Sequence, residues 1–133
     1  MPVKAASPSR EECRRAAAFR FALRQFMADA DADIRAEGLT PHRYLLMLAI
    51  KAAPDGGPVT ITDLADQLMS AQSSVTELVD RAVAAGLVER GGAADGRVVT
   101  VALTDDGDEL FARAFAAVRD DRQRMLEHLN ASA

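Results

Sequence analysis

The chain has 133 residues, of which 49% are hydrophobic and 27% charged, with a formal net charge of −4. That length favours one domain with a real core over two independent ones, and the balance is that of a soluble globular chain, expected in the cytoplasm. No apolar run approaches the ~20 residues needed to span a bilayer, which argues against a membrane partner.

Residues 1–8 read as a short disordered lead lacking the apolar stretch of a signal peptide, and 9–133 as a single domain. From Ser9 to about Ile34 a long helical pattern places Cys13, Ala16, Phe19, Leu23, Met27, Ala30 and Ile34 near one stripe, with Phe26 beside it. Thr40-Pro41 starts a second helix. Its segment Tyr44 to Ile50 is entirely apolar, so it is expected to be buried all round. Ala52 to Pro58 (AAPDGGP) is a turn-rich connector.

The next stretch carries most of the information. Thr60 followed by Asp63 makes an N-terminal cap, and Leu64, Ala65, Leu68 and Met69 recur at helical spacing. Ser70 is a second cap candidate, opening a helix over 70–85 whose apolar stripe is Val75, Leu78, Val79, Ala82 and Val83. Gly86 stops it. Leu87 to Arg90 and Val98 to Leu103 are β-leaning runs on either side of a flexible hairpin loop, Gly91 to Gly96. Thr104 then caps a last helix, from Asp105 to about Asn130, with Leu110, Ala114, Val118, Met125 and Leu129 as its apolar positions.

This order predicts a mostly α (α+β) winged helix-turn-helix: a lobe over 40–104, with the helix-turn-helix at 60–86 and a two-stranded wing at 87–104. The second helix of such a motif is shaped for a DNA major groove. The two long amphipathic helices, in segments 9–37 and 105–133, carry more apolar face than one small domain can cover. They are expected to pack on each other and on a second copy, giving a homodimer.

The residues resemble a known family at several points in order. Leu39-Thr40-Pro41, Leu64-Ala65, Ser74 to Arg81, Gly86 to Arg90, Asp95-Gly96-Arg97 and Leu103 to Gly107 together resemble the MarR family of bacterial transcription regulators, over roughly residues 38 to 110. The resemblance implies a homodimeric winged-helix repressor on a pseudo-palindromic operator, with helix 70–85 in the major groove and wing 91–97 in the minor groove. It also implies a small aromatic or phenolic effector in the cleft between dimer helices and reader, for which Phe19, Leu23, Phe26 and His42 are the candidate lining.

Among the individual candidates, Gln72, Ser73, Ser74 and Thr76 lie in the first turns of the second reader helix, mostly off its apolar stripe. Short polar side chains there suit base edges, Gln matching adenine, although an ordinary solvated helix start has the same composition. Arg81 and Arg90 suit phosphate contacts or internal ion pairs, and Asp80 is expected to pair with Arg81 or Arg97. By the resemblance, Asp95 holds Arg97 so that its guanidinium enters a narrow minor groove, whose concentrated negative potential attracts it. Without DNA the same two residues are a surface hairpin ion pair, worth little.

Charge supports a rival reading. Between Thr60 and Leu103 there are three Arg, no Lys and six carboxylates, few cations for a DNA reader. A winged-helix protein-interaction module that has lost tight DNA binding would share every feature above. One branch of the resembled family senses peroxides through a first-helix cysteine, but its tyrosines are missing and Arg14 and Arg15 point away from Cys13 on a helix. Cys13 is expected to be a buried packing residue. One Cys and two His at no ligand spacing make neither a disulfide framework nor a metal site. No nucleophile–base pair or phosphate loop marks an enzyme, and no cofactor is expected.

Overall fold

The computed structural model describes residues 5–92 and 98–131. Ser9 opens α1 (Arg10–Ala36) with a reciprocal cap: its hydroxyl accepts from the Glu12 N–H at 3.0 Å, while Glu12 Oε1 accepts from the Ser9 N–H at 3.4 Å. Thr40 caps α2 (Pro41–Ala52), accepting from the Arg43 N–H at 3.2 Å, and Pro41 occupies the first turn, where an N–H would have no helical partner. A 3₁₀ turn at Pro54–Gly56 leads to β1 (Val59–Thr60), α3 (Ile61–Gln67), α4 (Gln72–Ala84), β2 (Val88–Gly92), β3 (Val99–Leu103) and α5 (Asp105–Ala131). No helix among the described residues is long and apolar enough to cross a membrane.

The strands form one antiparallel sheet in the order β1-β3-β2, with Val59 opposite Val101 and Val88 opposite Leu103. The wing expected as two strands thus gains a third. Its two residues are too few to show alternation, yet both are β-branched, and pairing with β3 buries Val59. Gly91 and Gly92, expected in the hairpin loop, are paired in β2 opposite Thr100 and Val99.

Two apolar cores meet at α2. Leu46 and Ile50 face one of them, packing with Leu64, Val75, Val79 and Val101 beneath the helix-turn-helix. Tyr44 and Met47 face the other, with Ile34, Leu39, Phe111, Ala114 and Val118 where α1 and α5 meet the lobe. Tyr44 stacks on Phe111 with ring centroids 5.6 Å apart. The two cores leave a third side of α2 open, and Leu45 is 47% exposed there. The expectation that 44–50 is buried all round is therefore corrected: an unbroken apolar run need not be covered on every side.

The α1 stripe also divides. Ala30 and Ile34 are buried, as is Ala22 beside the stripe, whereas Phe19, Leu23 and Met27 stay exposed together with Phe21 and, on α5, Leu126. Cys13 is exposed as well, which corrects its reading as a packing residue.

Where α5 leaves the sheet the chain is tightly tied. Gly86, at φ 75°, ends the α4 segment in the left-handed region. The Thr104 N–H donates to the Leu87 carbonyl at 3.1 Å. The Thr104 hydroxyl donates to the Gly86 carbonyl at 2.7 Å and accepts from the Gly107 N–H at 3.0 Å. A Cβ on Gly107 would lie 2.0 Å from the Leu87 carbonyl oxygen, so α5 can approach the backbone just ahead of β2 only with glycine there. Lys51 Nζ reaches Asp108 Oδ1 at 2.9 Å across the same corner.

Candidate nucleic-acid interface

The helix-turn-helix is built from α3, a tight turn and α4. Thr60 caps α3 as expected, its hydroxyl accepting from the Asp63 N–H at 3.1 Å. The turn then departs from the sequence reading. Met69 does not continue the α3 stripe: it takes φ 50° and stands 93% exposed. Ser70 does not cap α4, because its hydroxyl donates backwards to the Leu68 carbonyl at 3.0 Å. The N-cap residue is Ala71, which supplies no side-chain acceptor, and the helix begins at Gln72 rather than at 70. Its first N–H groups are left without a capping side chain.

Val75, Val79 and Ala82 bury one face of α4 in the reader core. The opposite face carries Gln72, Ser73, Ser74, Thr76, Glu77, Asp80 and Arg81, all exposed. The Gln72 amide nitrogen donates to Thr62 Oγ1 at 3.4 Å, and the Thr76 hydroxyl donates to the Gln72 carbonyl at 2.9 Å. Both contacts steady the first turn while leaving the Gln72 side-chain carbonyl and the Thr76 oxygen able to accept.

Electrostatics sort the three arginines. Asp80 pairs with Arg90, not with Arg81 or Arg97 as expected, and this pair ties α4 to β2. Arg81 is exposed, and among the described residues no carboxylate pairs with it. The wing pair proposed at Asp95 and Arg97 lies outside the described residues. Lys51, a cation of the preceding helix, is held by Asp108.

The four residues suggested for an effector pocket are not brought together within one chain. Phe26 is half-buried and lines a cavity between α1 and α5, while Phe19 and Leu23 are exposed on α1. His42 lines a different groove of about 290 Å³, shared with Ser74, Glu77 and Arg81 of α4. The sequence reading missed β1, the uncapped start of α4 and the Asp80–Arg90 pair. The last was foreshadowed only by Arg90 lying two residues from the buried Val88 on a period-2 strand.

The described fold is a winged helix-turn-helix framed by long terminal helices. Residues 37–98 match the family model described as the MarR family. No curated protein matches the chain in sequence. Solved structures do match in fold. A MarR family protein from Bacillus stearothermophilus superposes with a TM-score of 0.78 at 20% identity, covering 92% of this chain and 84% of that one. AbsC, a MarR family transcriptional regulator from Streptomyces coelicolor, gives 0.76 at 20% identity over 91% of this chain and 82% of its own. A further MarR family regulator from Streptomyces coelicolor, solved in complex with DNA, gives 0.73 at 21% identity over 91% and 77%. The chain shares its fold with these regulators, and its sequence match to the MarR family model lies in the lobe holding α2, α3, α4 and β2.

Proposed function

We propose that this chain is a homodimeric transcription regulator that binds double-stranded DNA, with α4 in the major groove and the 91–97 wing in the minor groove of a pseudo-palindromic operator. It acts as a ligand-responsive repressor rather than an enzyme. The observation that carries this reading is the outer face of α4. Four short polar side chains, Gln72, Ser73, Ser74 and Thr76, are presented beside a helix start with no side-chain cap, while the opposite face is locked into the core. An uncapped helix N-terminus offers backbone N–H groups to a phosphate, and short polar side chains on the first turns suit base edges. Kinship with the family, one of whose structures is a DNA complex, points the same way. The exposed Phe19, Phe21, Leu23, Met27 and Leu126 on the terminal helices supply the apolar face that a second copy would cover. The effector, by family resemblance a small aromatic or phenolic acid, would act between those helices and the reader.

The test is a gel shift with the DNA upstream of the chain's own gene, at low and moderate salt. The expected result is a discrete complex that resists competitor DNA. Arg97→Ala should weaken that complex by about 1–3 kcal/mol per subunit while leaving thermal melting unchanged. No complex even at low salt would overturn the proposal and favour the protein-interaction module.

A further inference from the structure

Away from the reader, α1 and α5 form the most extensive contact between any two elements of the described fold. Ala30 and Ile34 of α1 share an apolar core there with Ala114 and Val118 of α5. Beside that core the packing changes character. Asp121 of α5 is 3% exposed, the one charged residue in the described core. Asp29 and Asp33, four residues apart and so on one face of α1, act on it across the contact, and both are half-buried.

Three carboxyls thus converge from two helices, and one guanidinium answers them. Arg124 pairs with Asp121 Oδ1 from the solvent side, its own side chain 61% exposed. The Gln25 amide donates to Asp29 at 3.1 Å, and His128 of α5 lines the cavity between the helices. With both carboxyls ionised, the buried Asp121 Oδ2 has no hydrogen-bond partner among the described residues. One proton changes that: it turns Asp33 and Asp121 from two repelling anions into a donor and an acceptor. Burial first, then the hydrogen bond and the negative charge of Asp33, push the Asp121 carboxyl from 3.8 up to about 6, against the pull of Arg124.

We propose that Asp33 and Asp121 form a proton-operated clasp between α1 and α5, closed when they share a proton and opened when both are ionised. The proton-bound form joins the two helices through a buried hydrogen bond. Its loss sets like charges against each other in a contact from which water is excluded, and moving α1 off α5 relieves them. The exposed apolar residues divide between the same two helices, Phe19, Leu23 and Met27 on α1 and Leu126 on α5, and Phe21 lines the cavity between them. A shift of α1 therefore breaks up the surface offered to a second copy. On the homodimer reading, on which this consequence rests, acid tightens the dimer and rising pH loosens it. The sign follows from a carboxyl raised above its ordinary value: closure is strongest below 3.8 and is lost as pH rises through about 6. If opening restores the ordinary value, the closed form is disfavoured by about tenfold between pH 5 and pH 8.

The experiment follows amide hydrogen exchange and sedimentation of the full chain at pH 5 and pH 8. Exchange is expressed as protection, so that its intrinsic pH dependence cancels. Protection over residues 22–34 of α1 is expected to fall about tenfold at the higher pH. The dimer dissociation constant should rise by at least as much, since two chains open. Asp121→Asn and Asp33→Asn, which put a neutral donor where the shared proton stood, should hold both quantities level, whereas His128→Gln should keep the wild-type response. Protection unchanged in the wild type, an equal fall in folded Asp121→Asn, or a response lost in His128→Gln would each overturn the proposal. A chain that sediments as a monomer at both pH values overturns the homodimer reading instead, and a fall in α1 protection confined to proteins with both carboxyls still supports the clasp.

Discussion

Asp80 and Arg90 illustrate how one surface pair can set the character of a binding face. Both side chains are substantially exposed, at 59% and 39%, so the pair contributes little to stability. It does occupy one of the few reader cations. With Arg90 held, the reader offers Arg81 and Arg97 per subunit, and a dimer on DNA should show a slope of log K against log salt of about −4, at about −0.9 per phosphate. Asp80→Asn releases Arg90 and removes a negative charge from the reading helix. The slope should steepen by about 2 and affinity at low salt should rise, with melting nearly unchanged. An unaltered slope would show that Arg90 does not reach phosphate. Asp121 makes the opposite kind of prediction, because it is buried. Its carboxyl is raised to about 6, so the folded chain holds a proton that the unfolded chain releases near 3.8. Stability from this group is greatest below pH 4 and is lost as pH rises through 6. Relative to Asp121→Asn, the wild-type chain should lose on the order of 2–3 kcal/mol between pH 4 and pH 8, read by urea denaturation. A parallel pH dependence of the two proteins would refute the shift.

At the scale of elements, the sequence signals that worked are those satisfied within a few residues. Thr40, Thr60 and Thr104 all accept the backbone N–H three residues ahead, and Gly86 takes the positive φ its position demanded. Signals requiring knowledge of a distant partner failed. Val59-Thr60 becomes a strand only because β3 is adjacent, Asp80 finds Arg90 only because β2 folds back along α4, and Leu45 is exposed because two cores already occupy the other sides of α2. Ser70 has the right side chain for a cap but does not act as one, because its hydroxyl is committed to the Leu68 carbonyl and the helix starts one residue later, after Ala71. Gly107 shows a motif glycine acquiring its physical reason only in three dimensions, at the close approach to Leu87. Gly107→Ala should destabilise the chain by about 1–3 kcal/mol or more, since the obstacle is backbone and cannot rotate away. A denaturation midpoint equal to wild type would mean that the α5–β2 junction is looser than described.

For the whole molecule, the proposed dimer rests on the open apolar surface of the terminal helices, and the proposed DNA contact on the few cations of the helix-turn-helix lobe. Phe19 and Met27 are 53% and 54% exposed on α1. Replacing both with Glu places charge in the proposed subunit contact without touching either core, so sedimentation should report a folded monomer with weakened DNA binding. A dimer that survives the double substitution would locate the contact elsewhere. The fold class was legible from periodicity and from the caps at Thr40, Thr60 and Thr104, and α4 from its apolar stripe but not from its cap, whereas the limited cation supply was legible only in outline, because pairing decides which arginines are free. The sharing of α2 between two cores has a mechanical consequence. Since Leu46 and Ile50 grip one core while Tyr44 and Met47 grip the other, the terminal helices and the reader have no separate pivot. The 27 residues of α5 then behave as a stiff rod about 40 Å long. A tilt of roughly 5° at one end of such a rod swings the other by about 3.5 Å, a tenth of the ~34 Å between successive major grooves on one side of a duplex. In a dimer, a few degrees of re-seating between subunits would be enough to carry the paired α4 helices out of register with their grooves.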